Sequence, residues 1–323
     1  MIIVTGGAGF IGSQIVKGLN QTGATNIVIV DNLTNGHKFR NLAELHYADY
    51  YDKQEFLNLM QQEPRAFNIS AIFHQGACSA TTEWDGRYMM SNNFTYSKAM
   101  LNLALTHHCP LIYASSAATH GGSNEFIETP VNEQPINVYG YSKLLFDQYV
   151  RRLFKSNTTK PPIVGLRYFN VYGHGEYHKG NMASVAYHFN NQLQDTGECR
   201  LFEGSHGYDN GGHLRDFVAI EDIVKLNLWF LKSGKSGIFN AGTGRCQSFN
   251  DVADAVIAWH GKGQKTYIPF PEKLKAAYQS FTQADLTALR EAGYPHEFAN
   301  VHQGVHQYLD ILNQSTDRSK NEN

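Results

Sequence analysis

The sequence predicts an α/β fold, a doubly wound parallel sheet with a second, smaller α/β unit assembled from separate stretches of chain. Over residues 1–170, short β-branched apolar runs alternate with longer amphipathic segments, the pattern of strands buried on both faces and joined by right-handed crossover helices. After residue 170 the alternation turns irregular and rich in glycine. The length, 323 residues, suits about two domains.

Ile2-Ile3-Val4 reads as the first buried strand. Ile11, Ile15, Val16 and Leu19 then follow helical spacing, and Gly23 ends that helix. Ile27-Val28-Ile29-Val30 is β-branched throughout, which suits a second strand. Ala71–His74, Leu111–Ala114 and Ile163–Leu166 repeat the type, with helical patterns at 53–62, 84–108 and 138–154. Beyond them come a loop at 171–180, a helix at 181–195, a short strand Arg200-Leu201-Phe202 and a loop at 203–214. Asp216-Phe217-Val218 and a helix at 221–232 read as sheet-associated again. The last residues, 314–323, are polar and expected to be a disordered tail.

Composition removes several classes of function. Lys plus Arg is 27 against 29 Asp plus Glu, and the net charge of −2 gives no pull toward nucleic acid or an anionic membrane. An apolar content of 42% with 12% aromatics excludes wholesale disorder. No apolar run approaches the roughly 18 residues that span a bilayer. The first residues lack the basic and long apolar stretches of a secretory signal. Cys78, Cys109, Cys199 and Cys246 are scattered without a Cys-x-x-Cys, which points to a reducing compartment, the cytoplasm, rather than to disulfides or structural zinc. His174 and His178 flank Glu176, but no His-Glu-x-x-His occurs and no metal site is expected.

Thr5-Gly6-Gly7-Ala8-Gly9-Phe10-Ile11-Gly12 joins the first strand to the first helix. Gly6, Gly9 and Gly12 supply backbone without Cβ where a pyrophosphate must approach, and the helix start adds unpaired N–H groups and a positive dipole end. This is a Rossmann-type dinucleotide turn in its proper context. Asp31, at the end of the second strand, suits the adenosine ribose hydroxyls and alone would favour NAD. Asn32 follows it, Lys38 and Arg40 lie close in sequence, and Lys53 is a further candidate; these cations could pair with a 2′-phosphate and turn the preference to NADP. Gln75-Gly76-Ala77-Cys78-Ser79 offers small residues across which the nicotinamide half could lie. The dinucleotide-binding domain is therefore expected over 1–170 and 216–245, and a substrate domain over 171–215 and 246–313.

Tyr139-Gly140-Tyr141-Ser142-Lys143 opens a helix, with Tyr139 and Lys143 on one face. A free tyrosine is only about 0.1% phenolate at pH 7. A neighbouring ammonium and an oxidised nicotinamide would both favour the anion, and a shift of about 3 pKa units needs roughly 4 kcal/mol. Lys143 can also hold the nicotinamide ribose. Ser116, at the end of the strand 111–114, can hydrogen-bond the substrate oxygen that becomes a carbonyl.

These residues resemble the extended short-chain dehydrogenase/reductases that modify nucleotide sugars, and within them the family of ADP-glycero-manno-heptose 6-epimerases. The closer likeness rests on Ala80-Thr-Thr-Glu-Trp-Asp-Gly86, Asn137–Lys143, Arg167-Tyr-Phe-Asn-Val-Tyr-Gly173, His178-Lys-Gly180, Met182–Val185, Phe202-Glu203-Gly204-Ser205 and Phe281–Leu286. The resemblance implies tightly bound NADP, with NAD the alternative, held at Phe10, Ile11, Asp31, Asn32, Lys38, Lys53, Gln75 to Ser79, Asn92, Lys143 and Val171. Tyr139 and Lys179 fall where that family has its two acid/base residues, Lys179 also beside the cofactor. Asn170, Asn181, His188, Phe202 to Ser205, Arg215 and Tyr278 fall on its ADP-heptose contacts. It further implies a homopentamer and a place in lipopolysaccharide inner-core biosynthesis. Three departures stand out. Asn181 replaces a serine, His120 replaces the commoner tyrosine before Gly121, and the segment 206–214 is longer than the family has.

The implied reaction inverts C6 of the heptose through a 6-ketone, with Tyr139 serving one configuration and Lys179 the other. Three alternatives share part of the pattern. A UDP-hexose 4-epimerase would not need Lys179. A 4,6-dehydratase would carry an Asp-Glu pair where Ala117-Ala118 stand. A non-enzymatic NADP sensor would often have lost the Tyr139–Lys143 pair, which this chain keeps.

Overall fold

β-Branched side chains dominate the first two strands, Ile2–Thr5 and Ile27–Asp31, and Ile27–Asp31 is buried at every position, as a strand covered on both faces requires. The computed structural model describes residues 1–156, 160–272 and 278–320. They divide into two units. The first comprises Met1–Tyr168, Ile223–Ala241 and Thr287–Tyr294, and the second Phe169–Asp222, Gly242–Leu286 and Pro295–Asn323.

The first unit begins β1 (Ile2–Thr5), α1 (Phe10–Gln21), β2 (Ile27–Asp31), β3 (Asp49–Asp52), α2 (Lys53–Gln62) and β4 (Ala71–His74). It continues with α3 (Gly86–Met89), a π-helical turn over Met90–Thr95, α4 (Tyr96–His107), β5 (Leu111–Ser116), α5 (Val138–Phe154) and β6 (Ile163–Tyr168). The second unit contributes β7 (Asn170–Tyr172), α6 (Val185–Thr196), β8 (Glu198–Phe202), β9 (Leu214–Arg215) and β10 (Phe217–Ala219). α7 (Ile220–Ser233) starts in the second unit and ends in the first, leading to β11 (Gly237–Ala241). Then come β12 (Gln247–Ser248), α8 (Phe249–His260), β13 (Gln264–Ile268), α9 (Thr287–Glu291) and α10 (Val301–Lys320).

Seven strands form the main sheet in the order β11-β6-β5-β4-β1-β2-β3, all parallel. The order reverses direction at β1, the switch point outside whose carboxyl end such sheets bind ligands. One face packs Val28, Ile72, Leu111 and Ile163 against Phe56, Met100 and Phe146 from the helices. The second unit has small strand pairs, β7 with β10, β9 with β12 and β8 with β13, and its own core around Phe189, Leu201, Val256 and Tyr308.

Several boundaries differ from those read in the sequence. Phe217–Ala219 pairs with Asn170–Tyr172 rather than joining the main sheet, so 216–222 belongs to the second unit. Thr287–Tyr294 returns to the first, where Tyr294 meets Trp229 edge-on at 5.4 Å. β3 went unread because Asp49 and Asp52 bracket its two tyrosines on an edge strand. The helix expected from 181 starts at Val185, where Ser184 caps it. The backbone of α10 stays helical past Gln314, where a disordered tail was expected, through Lys320; residues 321–323 of that tail lie outside the described residues.

Candidate active site

At the end of β1 the chain turns through Gly6, with φ +67°, into α1. A Cβ on Gly6 would stand 2.6 Å from the Gly76 backbone nitrogen, and one on Gly12 would collide with the Gly6 carbonyl. The glycines therefore let two strand ends and a helix converge. Gly9 is the N-cap of α1, and no side chain caps its first turn, which leaves a helix N-terminus suited to an anion. Phe10 and Ile11 open that turn.

Asp31 is more occupied than its sequence position suggested. Its carboxylate accepts the Ala8 N–H at 2.9 Å, the Asn32 N–H at 2.7 Å and the Lys38 ammonium at 3.0 Å. Lys38 also donates to the Asn32 carbonyl at 3.1 Å. The pair presents a carboxylate and an ammonium together. Lys53 donates to Asn92 at 2.7 Å, bringing those two predicted residues into contact.

Gln75 to Ser79 follow β4. Tyr168 donates to the Gln75 side-chain oxygen at 3.0 Å, while the Gln75 amide nitrogen is buried without a partner. Beside it the single side chain of Asn93, absent from the sequence reading, accepts the Cys78 N–H at 2.8 Å and donates to the Cys78 carbonyl at 2.9 Å and to Ser142 at 3.0 Å. Asn93 lies in the π-helical turn, a winding that recurs at functional sites. A glycine cradle, an open helix end and an orphaned amide fit a dinucleotide laid across the ends of β1, β2 and β4.

Tyr139 and Ser116 share a hydrogen bond. Ser116 also accepts the Ala118 N–H at 3.1 Å, which aims its own proton elsewhere. Asn137 caps α5 by accepting the Gly140 N–H at 2.8 Å. A Cβ on Gly140 would lie 2.5 Å from the Ala118 carbonyl oxygen, so this glycine lets α5 press against the turn that carries Ser116. Lys143 is buried and donates to the Ala114 carbonyl at 2.8 Å. Burial draws its pKa down to about 8, against the opposing charge of Asp147. The depression of Tyr139 expected from Lys143 is not found in the chain alone. Burial raises its pKa and the Ser116 hydrogen bond only opposes that rise, because the ammonium is turned to Ala114.

The second unit carries the other predicted residues in two groups. Lys179 lies in the 3-10 turn Tyr177–Met182, followed by Gly180 at φ +53° and by exposed Asn181. Burial lowers the pKa of its amine and the Glu176 charge resists. Glu176 itself is committed to structure, accepting from the Gly173 N–H and from the N–H and hydroxyl of Ser184. Asn170 and Val171 lie on β7, and His188 on α6.

In the second group Ser205 hydrogen-bonds His206 and His213, each at 2.9 Å. The Arg215 guanidinium lies over the Tyr278 ring at 4.9 Å, and Phe202 meets Phe270 at 5.3 Å. His213 and Phe270 each meet Tyr278 edge-on, at 5.1 and 5.0 Å. Glu203 and Gly204 run along the exposed side. His206 and His213 join this aromatic cluster though the sequence reading left their loop without a role, and Phe270 joins it from just after β13.

A helix N-terminus at the switch point of a parallel sheet, with a Tyr–Ser pair one helical turn from a buried lysine, is an arrangement in which a Rossmann-type fold can place proton-transferring groups beside a dinucleotide. Residues 2–242 match the NAD dependent epimerase/dehydratase family, and the chain belongs to it. It is similar to the crystal structure of an ADP-L-glycero-D-manno-heptose-6-epimerase from Helicobacter pylori, at 31% identity and TM-score 0.83, covering 97% of this chain and 96% of that one. It is also similar to a UDP-glucose 4-epimerase from Thermotoga maritima solved with UDP-glucose, at 26% identity and TM-score 0.77, covering 98% and 99%. A Thermus thermophilus UDP-glucose 4-epimerase solved with NAD matches at 24% identity and TM-score 0.75, over 96% and 97%, and shares the fold.

Proposed function

We propose that this protein interconverts ADP-D-glycero-β-D-manno-heptose and its L-glycero epimer at C6, in lipopolysaccharide inner-core biosynthesis. The observation that carries this reading is the 31% identity to the H. pylori heptose epimerase, which runs over 97% of the chain and so takes in the second unit as well as the first.

The carbinol hydrogen at C6 is not acidic, so a simple base cannot invert the centre. A bound nicotinamide dinucleotide supplies a hydride acceptor and donor. The protein's own work is to manage the hydroxyl proton. Tyr139 takes that proton in one configuration, with Ser116 donating to the same oxygen. Lys179, its pKa lowered by burial, does the same for the other configuration. Lys143 holds the nicotinamide ribose.

NADP is the dinucleotide we favour over NAD. Lys38 neutralises Asp31 and lies beside Asn32, so a 2′-phosphate would meet an ammonium where a bare carboxylate would repel it. Asn170, His188, the Phe202–Ser205 strip, Arg215 and Tyr278 bind the ADP-sugar, the arginine facing diphosphate and the aromatics the base. We further propose a homopentamer in the cytoplasm. The four cysteines are free thiols, and no helix among the described residues is long and apolar enough to cross a membrane.

Incubation with ADP-D-glycero-β-D-manno-heptose deuterated at C6, followed by NMR, tests the reading. The L-glycero epimer should form with its label retained. Exchange of the label with solvent, or turnover of UDP-galactose in place of the heptose, would replace it, the latter with the UDP-hexose 4-epimerase alternative.

A further inference from the structure

Arg167 and Asp147 are fully buried, and Glu133 is almost so. Removing charges from water is costly, and well-packed apolar residues often serve a core as well or better. A buried network of this kind is therefore worth tracing to what it touches. Arg167 reaches Asp147 at 3.0 Å and Glu133 at 2.5 Å, and Arg151 closes on Glu133 from α5 at 2.6 Å. Asp147 lies four residues after Lys143 and eight after Tyr139, on the same stripe of α5. One of its oxygens accepts the Tyr113 hydroxyl at 2.9 Å. The other accepts the Ser115 hydroxyl at 2.9 Å, next in the chain to Ser116.

We propose that Asp147 is a positioning residue for the site: locked by Tyr113, Ser115 and Arg167, its carboxylate keeps the Lys143 ammonium charged and seats the strand end that bears Ser116. This deepens the epimerase reading and rests on it for the role of Lys143. Among the described residues, few groups face Lys143. On its own helix stand Asp147 and Tyr139, on the segment after β4 Cys78, and on β4 His74. His74 is held neutral: Ser97 gives its proton to the Asn93 carbonyl at 2.5 Å, so His74 donates to Ser97 and accepts from Thr5. Asp147 is therefore the carboxylate in this set. Burial alone would carry Lys143 toward the neutral amine, which has fewer protons to offer a ribose and no charge.

Two readouts test this. In the purified chain, the 13Cε resonance of Lys143, assigned against K143M, titrates in wild type and should titrate about one pH unit lower in D147N. In turnover, the alkaline midpoint of kcat/KM should fall by the same amount, about fivefold in rate at the wild-type midpoint and nearly tenfold one pH unit above it. Because D147N strands Arg167, D147N/R167M is run beside it. That pair leaves Glu133 still bonded to Arg151 and should give the same displacement. E133Q also deletes a buried negative charge but touches only the arginines, so it should lower thermal stability and leave both midpoints in place. D147E, which keeps the charge, should restore the midpoint. Unmoved midpoints in folded D147N or D147N/R167M, or an equal shift in E133Q, would overturn the proposal. If wild type fails to turn over the heptose, the epimerase reading falls, while the Lys143 titration still decides the part assigned to Asp147.

Discussion

Replacing Gly140 by alanine tests how closely the two halves of the proposed proton apparatus, Tyr139 and Ser116, must fit. Alanine normally favours a helix over glycine by about 1 kcal/mol. Here the added methyl carbon would stand 2.5 Å from the Ala118 carbonyl oxygen and 3.2 Å from the Pro135 Cβ, where ordinary contact begins at 3.4 Å. The start of α5 must then retreat by about 0.9 Å from the turn at Ala117–Thr119. Overpacking of this kind costs about 1–3 kcal/mol, so the net loss of stability is at most about 2 kcal/mol, a few degrees in Tm. Activity is more sensitive, because the turn that must yield is the one Ser116 caps, and Ser116 is the partner of Tyr139. A displacement near 1 Å at reacting groups costs about 100-fold in rate. Gly86→Ala is the control, since a Cβ there meets nothing within 4 Å. Epimerisation followed by NMR, with Tm by differential scanning fluorimetry, should show G140A folded and about 100-fold slower, and G86A unaffected. A folded G140A within twofold of wild type would refute the close-approach argument.

The remaining expectations concern cofactor choice, chemistry and acid stability. K38A leaves Asp31 without its ammonium and should weaken NADPH binding about 10- to 100-fold relative to NADH, the worth of a charged hydrogen bond, measured by fluorescence titration. Y139F and K179M should each reduce kcat by at least about 100-fold while NADPH affinity stays within a few-fold; normal turnover in either removes that residue from the mechanism. Burial holds the folded-state pKa of His74 at about 3 against an ordinary 6.5. The unfolded chain therefore binds the extra proton first. The stabilisation is complete above pH 6.5 and is lost progressively as pH falls toward 3. Urea unfolding of wild type should weaken across that window, and H74Q should show a visibly flatter dependence.

The main sheet was legible because parallel strands covered on both faces must be apolar throughout, and Ile27–Val30 could be little else. β3 was not, since an edge strand half open to water tolerates the aspartates that disguise it. The turn at Gly6–Gly12 and the Tyr139–Lys143 pair announced themselves by spacing within one stretch of chain. Asn93, Arg167 and Glu133 did not, because their partners lie far away in sequence and no local period links them. Asp147 had a signal that went unused, its place one turn beyond Lys143. In the second unit the loop 206–214 read as glycine-rich and polar. That His206 and His213 both converge on Ser205 follows from the chain folding back at Gly207 and Gly211, which composition does not reveal.

Arg167 also bears on which register the β5–β6 pairing can hold. In the β5–β6 ladder it stands opposite Ser115, between Leu166 opposite Ala114 and Tyr168 opposite Ser116. Slipping that ladder by one residue would turn the guanidinium to the other face, away from Asp147 and Glu133, and leave a bare ion among hydrocarbons. A one-residue slip of these two strands therefore carries an electrostatic penalty on top of lost packing, and the buried network ties the native register to the neutralisation of a charge.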